Sequence, residues 1–214
     1  MTTLLIAGLL LSFSPAGAMP RGTASLSLEH GRYATRGEPN APVIIVEFSD
    51  FKCHACEKFN LTIMPNLEKE FISSGLVKVA FVDFPLTDHE SYTTVAESVH
   101  CAGEQGKYWQ MHDALWRNIG ALSDQSLVDY AAELGLNVSD FRSCLATDRF
   151  RRRVLDDLRF SYDLGLTGRP TFFIGRRSAG QGEDTYRGRF IKGAQSYLVY
   201  KAVIQRMLSR PEAP

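Results

Sequence analysis

The 214-residue chain has no net charge: 24 Lys and Arg balance 24 Asp and Glu. That gives no support to a general polyanion-binding role, so no nucleic-acid partner is expected. Long apolar runs are also missing. The longest, Leu4 to Phe13, falls well short of the roughly 20 residues needed to cross a bilayer as a helix. No internal repeat is visible. Cysteine is scarce, with four in all: Cys53, Cys56, Cys101 and Cys144. A structural zinc site commonly wants two close pairs, and only Cys53 and Cys56 are close. Covalent haem attachment wants His directly after the second cysteine, where this chain has Glu57. No metal and no cofactor is therefore expected.

What is present begins with residues 1–18. The apolar stretch is broken by Ser14-Pro15 and followed by Ala16-Gly17-Ala18, an A-x-A cleavage pattern. This reads as a secretory signal removed after Ala18, although Met1-Thr2-Thr3 supplies no Lys or Arg. An uncleaved membrane anchor is the alternative. An even cysteine count suits the oxidising compartment that export implies.

The most telling stretch is Cys53-His54-Ala55-Cys56. It follows Val43-Ile44-Ile45-Val46-Glu47-Phe48, which reads as a buried strand, and precedes Glu57-Lys58-Phe59, which opens a helix. Two thiols spaced C-x-x-C on such a turn can close a disulfide within one helical turn. The first sulfur then lies at the helix N-terminus, where unpaired N–H groups and the macrodipole favour an anion. That setting activates a thiolate for disulfide exchange.

The remaining pattern gives an element order. Residues 19–37 are polar and read as a flexible lead-in. A strand spans 43–49, and a helix runs from about 54 to 73 with a kink at Pro65. A second strand spans Leu76 to Phe84. From about 90 to 164 the pattern is helical, with helices over 91–102, 108–118, 126–134, 139–146 and 147–164. Strands return at 171–175 and 189–193 around a polar, Gly-rich stretch, 176–188. A helix over about 195–208 and a tail at 209–214 complete the chain.

At this point the residues resemble a known family. Glu47-Phe48-Ser49-Asp50-Phe51-Lys52-Cys53-His54-Ala55-Cys56 is similar to the active-site segment of DsbA-like proteins. So are Phe84-Pro85-Leu86, Cys101-Ala102-Gly103-Glu104-Gln105-Gly106-Lys107-Tyr108-Trp109, Gly168-Arg169-Pro170-Thr171-Phe172-Phe173-Ile174-Gly175 and Gly193-Ala194-Gln195. The match covers about residues 38–208. It implies an α/β thioredoxin-like fold with an inserted helical subdomain, in agreement with the β-α-β, helices, β-β-α order. It implies a cis Pro170 facing the cysteines and a buried acid, Glu47, that exchanges protons with Cys56. It further suggests a structural Cys101–Cys144 disulfide; two buried free thiols are the alternative.

By this resemblance the chain is expected to be a periplasmic or otherwise extracytoplasmic thiol:disulfide oxidoreductase. Its partners would be reduced or unfolded substrate proteins and a membrane redox partner that regenerates the disulfide. Cys53 is the expected nucleophile. Lowering a thiol from about 8.5 to about 5 takes roughly 5 kcal/mol. A helix terminus supplies at most about 2 kcal/mol, so direct donors to the sulfur are required. The helix N–H groups, the Cys56 thiol and His54 are the candidates, with Ala55 contributing little. His54 as an exposed spectator is the alternative.

Arg169 departs from the Thr or Val usual before the proline. It either lies near the sulfurs, contacts substrate, or points to solvent. An isomerase or reductase of the same fold is the rival function. The absence of an evident dimerisation segment in 19–37 favours a monomeric oxidase. A non-catalytic chaperone or metal-binding module is more remote. Three further features point to structure or surface rather than chemistry. Trp109, His112 and Trp116 read as a core stripe, and Arg149 to Arg153 as a solvated helix face. Asn60-Leu61-Thr62 and Asn137-Val138-Ser139 match glycosylation acceptors without an assigned role.

Overall fold

The computed structural model describes residues 22–29, 31–178 and 184–209. The expected signal segment, 1–18, lies outside the described residues, as does nearly all of the 209–214 tail. Among the described residues six strands form one sheet: β1 (Ala24–Ser27), β2 (Thr35–Arg36), β3 (Val43–Ser49), β4 (Val77–Asp83), β5 (Thr171–Arg177) and β6 (Thr185–Lys192). Their spatial order is β1-β6-β5-β3-β4-β2. Among these described strands only β3 and β4 are parallel; every other pair is antiparallel.

β3 and β4 are buried along their whole length. Both faces of the sheet are covered, so their sequences are near-continuous apolar runs rather than alternating ones. Val43 and Ile45 face one apolar cluster with Phe59 and Tyr200. Ile44, Val46 and Phe48 face another with Leu158 and Leu166. Alternation along a strand therefore sends Glu47 and Ser49 to the Val43 side.

β3 feeds α1 (His54–Thr62), which is interrupted at Ile63. Pro65 stands in the first turn of the short α2 (Met64–Leu67), and a π-helical turn over Glu68–Ile72 follows. The expected single helix is thus three pieces. Proline cannot donate into the preceding turn, so a new helix starts around it. The helical block between β4 and β5 comprises α3 (Glu90–Glu104), α4 (Tyr108–Arg117), α5 (Asp124–Glu133), α6 (Val138–Ala146) and α7 (Arg151–Asp163). α8 (Tyr197–Ser209) ends the described chain. Cys101 on α3 and Cys144 on α6 are joined in a disulfide.

Three expectations are corrected here. Within the expected lead-in, the described residues are not loose, because they supply both edge strands, β1 on β6 and β2 on β4. The polar stretch 176–188 is largely strand at its two ends. Gly175 and Gly188 face one another across β5 and β6, and a Cβ on Gly188 would lie 2.1 Å from the Ile174 carbonyl oxygen. Glycine here serves close backbone approach rather than a loop.

The basic run is also less solvated than its composition suggests. Arg149 pairs with Glu104, and Arg151 donates to Thr93 Oγ1 and the Asp88 carbonyl. Arg153 donates to the Arg32 carbonyl, whereas Arg152 lies in solvent. His112 and Trp116 belong to the core, and Trp116 Nε1 donates to His112 Nε2 at 3.1 Å. Trp109 is partly buried between two clusters.

Candidate active site: an asymmetric pair of thiols

Cys53 is the N-cap residue of α1, with extended backbone angles (φ −101°, ψ 111°). Its sulfur stands where an N-cap oxygen would, near the amides of Ala55 and Cys56, although neither amide closes a cap hydrogen bond. Three donors act on it. The Cys56 thiol is the strongest, followed by the Cys56 and Ala55 amides, and together they overcome burial and lower Cys53 from 9.0 to about 6. Such a thiol is about 90% ionised at neutral pH, against about 1% for an unshifted one. Asp50 opposes the shift slightly through its negative charge.

Cys56 behaves in the opposite way. It is fully buried, and burial together with its hydrogen bond to Cys53 drives its pKa far upward. One thiol of the pair carries negative charge readily and the other holds its proton. Cys53 is partly exposed and so is the sulfur a substrate can reach. The Arg169–Pro170 peptide bond is cis, and Cys53 Sγ lies 3.9 Å from the Arg169 carbonyl oxygen.

Glu47 lies beneath this pair on the central strand β3, wholly out of solvent. Burial raises its pKa from 4.5 to about 7, partly offset by Ser49 and Asn60. Asn60 on α1 donates from Nδ2 to Glu47 Oε1 at 2.8 Å and to the Cys56 carbonyl at 3.1 Å. Arg36 of β2 also favours the charged carboxylate from a distance, while it is held by Asp113 at 2.7 Å and stacked over Trp109.

Asp50 is buried in the turn. Its carboxylate accepts from the Lys52 amide at 2.9 Å and the Leu86 amide at 3.0 Å, so it organises the loop. His54 does not join the site. Its side chain is 87% exposed and its Nδ1 lies 3.2 Å from Glu57. The Arg169 guanidinium lies 4.3 Å over the Phe84 ring, and its charge is felt by Asp50.

Sequence reasoning missed three residues here. Asn60 appeared only as a glycosylation acceptor, yet it is buried against Glu47. Arg36 lay in the supposed lead-in. Ser49 carried no signal beyond sharing the strand face of Glu47, which was the one available clue. Asn137, the other acceptor position, is the N-cap of α6 and accepts from the Ser139 and Asp140 amides.

A thioredoxin family model matches residues 29–191. Among curated relatives, the Na(+)/H(+) antiporter NhaA 1 of Salinispora arenicola is 35% identical over 147 residues, covering 68% of this chain but only 22% of the antiporter. The probable disulfide bond formation protein D of Bacillus anthracis is 26% identical over 160 residues, covering 71% of this chain and 73% of the relative. The crystal structure of oxidised BdbD from Bacillus subtilis superimposes with a TM-score of 0.73 at 22% identity, over 89% of this chain and 100% of that one. That of Wolbachia pipientis alpha-DsbA1 gives 0.72 at 22% identity, over 84% and 92%. The chain therefore belongs to the thioredoxin family, with the DsbA-like architecture of a thioredoxin core and an inserted helical block.

Proposed function

We propose that this chain is an exported protein thiol:disulfide oxidoreductase that donates its Cys53–Cys56 disulfide to substrate proteins. The observation that carries the reading is the asymmetry of the pair: Cys53 lowered to about 6 by donors at the head of α1, Cys56 raised by burial. A stabilised Cys53 thiolate favours the dithiol form, which makes the disulfide form the stronger oxidant. The name of the Bacillus relatives, disulfide bond formation protein D, agrees with this direction.

In the proposed reaction a substrate thiolate attacks Cys53 Sγ. The Cys53–Cys56 bond breaks, a mixed disulfide forms at Cys53, and Cys56 departs with the electron pair. A second substrate thiol then attacks the mixed disulfide and releases Cys53 as a thiolate. Cys56 leaves as a buried anion and takes up a proton, for which Glu47, with its pKa near 7, is the proposed source. The substrate is oxidised to a disulfide and the pair is reduced. A membrane redox partner would reverse this and restore the disulfide.

Export is supported by the apolar stretch before Ala18 and by a Cys101–Cys144 bond suited to an oxidising compartment. Among the described residues no helix is long and apolar enough to cross a membrane. We take the working unit to be a monomer.

Equilibration of the mature protein with glutathione redox buffers tests the direction. A donor should give a potential clearly above the roughly −270 mV of thioredoxin. A value at or below that would assign the chain to reductive work instead.

A further inference from the structure

Three buried polar atoms without a settled hydrogen-bond partner occur on the residues around Cys56: Glu47 Oε2, Ser49 Oγ and Asn60 Oδ1. Buried polar groups are nearly always paired, so three such atoms on residues surrounding one thiol call for a functional explanation. Ser49 is the link among them. It follows Glu47 by two residues on β3, so both side chains leave the same face of the sheet. It is as buried as Glu47. It favours the charged form of both Glu47 and Cys56, and its hydroxyl is left without a hydrogen-bond partner of its own.

A hydroxyl can accept and donate at the same time, and it can rotate between partners. The amides around it cannot do this. Asn60 spends its two described donor bonds on Glu47 Oε1 and the Cys56 carbonyl, which pins one carboxyl oxygen and leaves Oε2 uncommitted.

We propose that the Ser49 hydroxyl relays the proton between the Glu47 carboxyl and the Cys56 sulfur, with Asn60 as the positioning residue for that carboxyl. This rests on the oxidoreductase reading above. When a thiolate attacks Cys53 Sγ, the Cys53–Cys56 bond breaks and its electron pair goes to Cys56. Ser49 then gives its hydroxyl proton to Cys56 Sγ and takes the Glu47 proton in the same motion. The products are a mixed disulfide at Cys53, a neutral Cys56 thiol and a Glu47 carboxylate. Reoxidation runs the proton back as Cys56 re-forms the bond.

Several other groups face Glu47 and Cys56. They are Cys53 of α1, Arg36 of β2, Tyr108 of α4, Tyr200 of α8, and the buried Asp50 beside Cys56. His112 of α4 lies one step further out, against Asp113. Burial raises both tyrosines above their usual value, and Arg36 is paired with Asp113. Burial also holds His112 below its usual value. Starting from the disulfide form removes the Cys53 titration, so Glu47 is the group expected to change charge near neutrality.

The test follows reduction of the oxidised protein by excess dithiothreitol, with rates divided by the dithiothreitol thiolate concentration, from about pH 5 to about pH 8.5. General acid catalysis contributes about 100-fold or more in typical sites, of which a substituting water would recover part. The wild-type rate should fall as pH rises through about 7, where Glu47 surrenders its proton. Ser49→Ala should lower the rate at least about tenfold below that point and flatten the profile, and Ser49→Thr should restore both rate and slope. A Ser49→Ala profile that overlays the wild type overturns the relay. So does one reduced by the same factor at every pH, which a purely structural role would give. A wild-type disulfide that dithiothreitol leaves intact would instead sink the oxidoreductase reading itself.

Discussion

Replacing Glu47 by Gln removes a charge from a fully buried position while keeping the side chain's shape. Because burial raises the folded pKa from 4.5 to about 7, the folded protein holds a proton that the unfolded chain gives up. The sign follows directly. The wild-type chain has its full stability below pH 4.5 and loses stability as pH rises through 7. The loss grows to about 3.5 kcal/mol by pH 8, from 2.5 pKa units at about 1.4 kcal/mol each. Glu47→Gln carries no such loss, and its Oε1 can still accept from Asn60. Guanidinium unfolding of the oxidised proteins is the assay, since it keeps Cys101–Cys144 intact and silences Cys53. The stability difference, variant minus wild type, should rise by about 3 kcal/mol between pH 4 and pH 8. A difference that stays constant across that range would refute a buried carboxyl with a raised pKa.

Three other outcomes follow from the same geometry. His54→Ala should shift the Cys53 titration by no more than a few tenths of a unit, because the ring faces Glu57 in solvent; a shift above about one unit would restore it as a tuning residue. Arg169→Thr should raise the Asp50 pKa, which carboxyl chemical shifts would report, and leave Cys53 nearly unmoved; a Cys53 change of about a unit would place the guanidinium charge on the sulfur. The double variant Cys101→Ala/Cys144→Ala should lose about 2–4 kcal/mol of unfolding free energy, since the bond closes a loop with a sequence separation of 43; an unchanged denaturation midpoint would contradict that.

The parts of the fold that sequence made legible are those where one strong local signal decides the structure. β3 and β4 are β-branched and apolar runs interrupted by single polar residues, and their neighbours announce turns. β1 was illegible because Ala24–Ser27 buries only Leu26, and β2 because it is two residues long. Both exist through pairing with strands distant in sequence, which no local pattern encodes. The first half of β6 does alternate, with Tyr186 and Gly188 buried, but its arginine and glycine disguised that half as loop, while 189–192 was legible as strand.

At the site, the cysteines could be read from their C-x-x-C spacing on a strand-to-helix turn, whereas Glu47 and Pro170 stood out only through the family resemblance. Asn60 could not, since an amide on a helix usually faces water and only the approach of α1 to β3 buries this one. The exposed position of His54 was illegible for a related reason: spacing places it beside Cys53 in sequence but says nothing of the Glu57 carboxylate that its Nδ1 approaches.

The central claim is that Cys53 is a thiolate at neutral pH, sustained by the Cys56 thiol and two amides. Ultraviolet thiolate absorbance of the reduced protein, titrated against pH with a Cys53→Ser control, measures this directly. The midpoint should fall at about 6 and disappear in the control. A midpoint near 9.0, the value of an unperturbed thiol, would contradict the account.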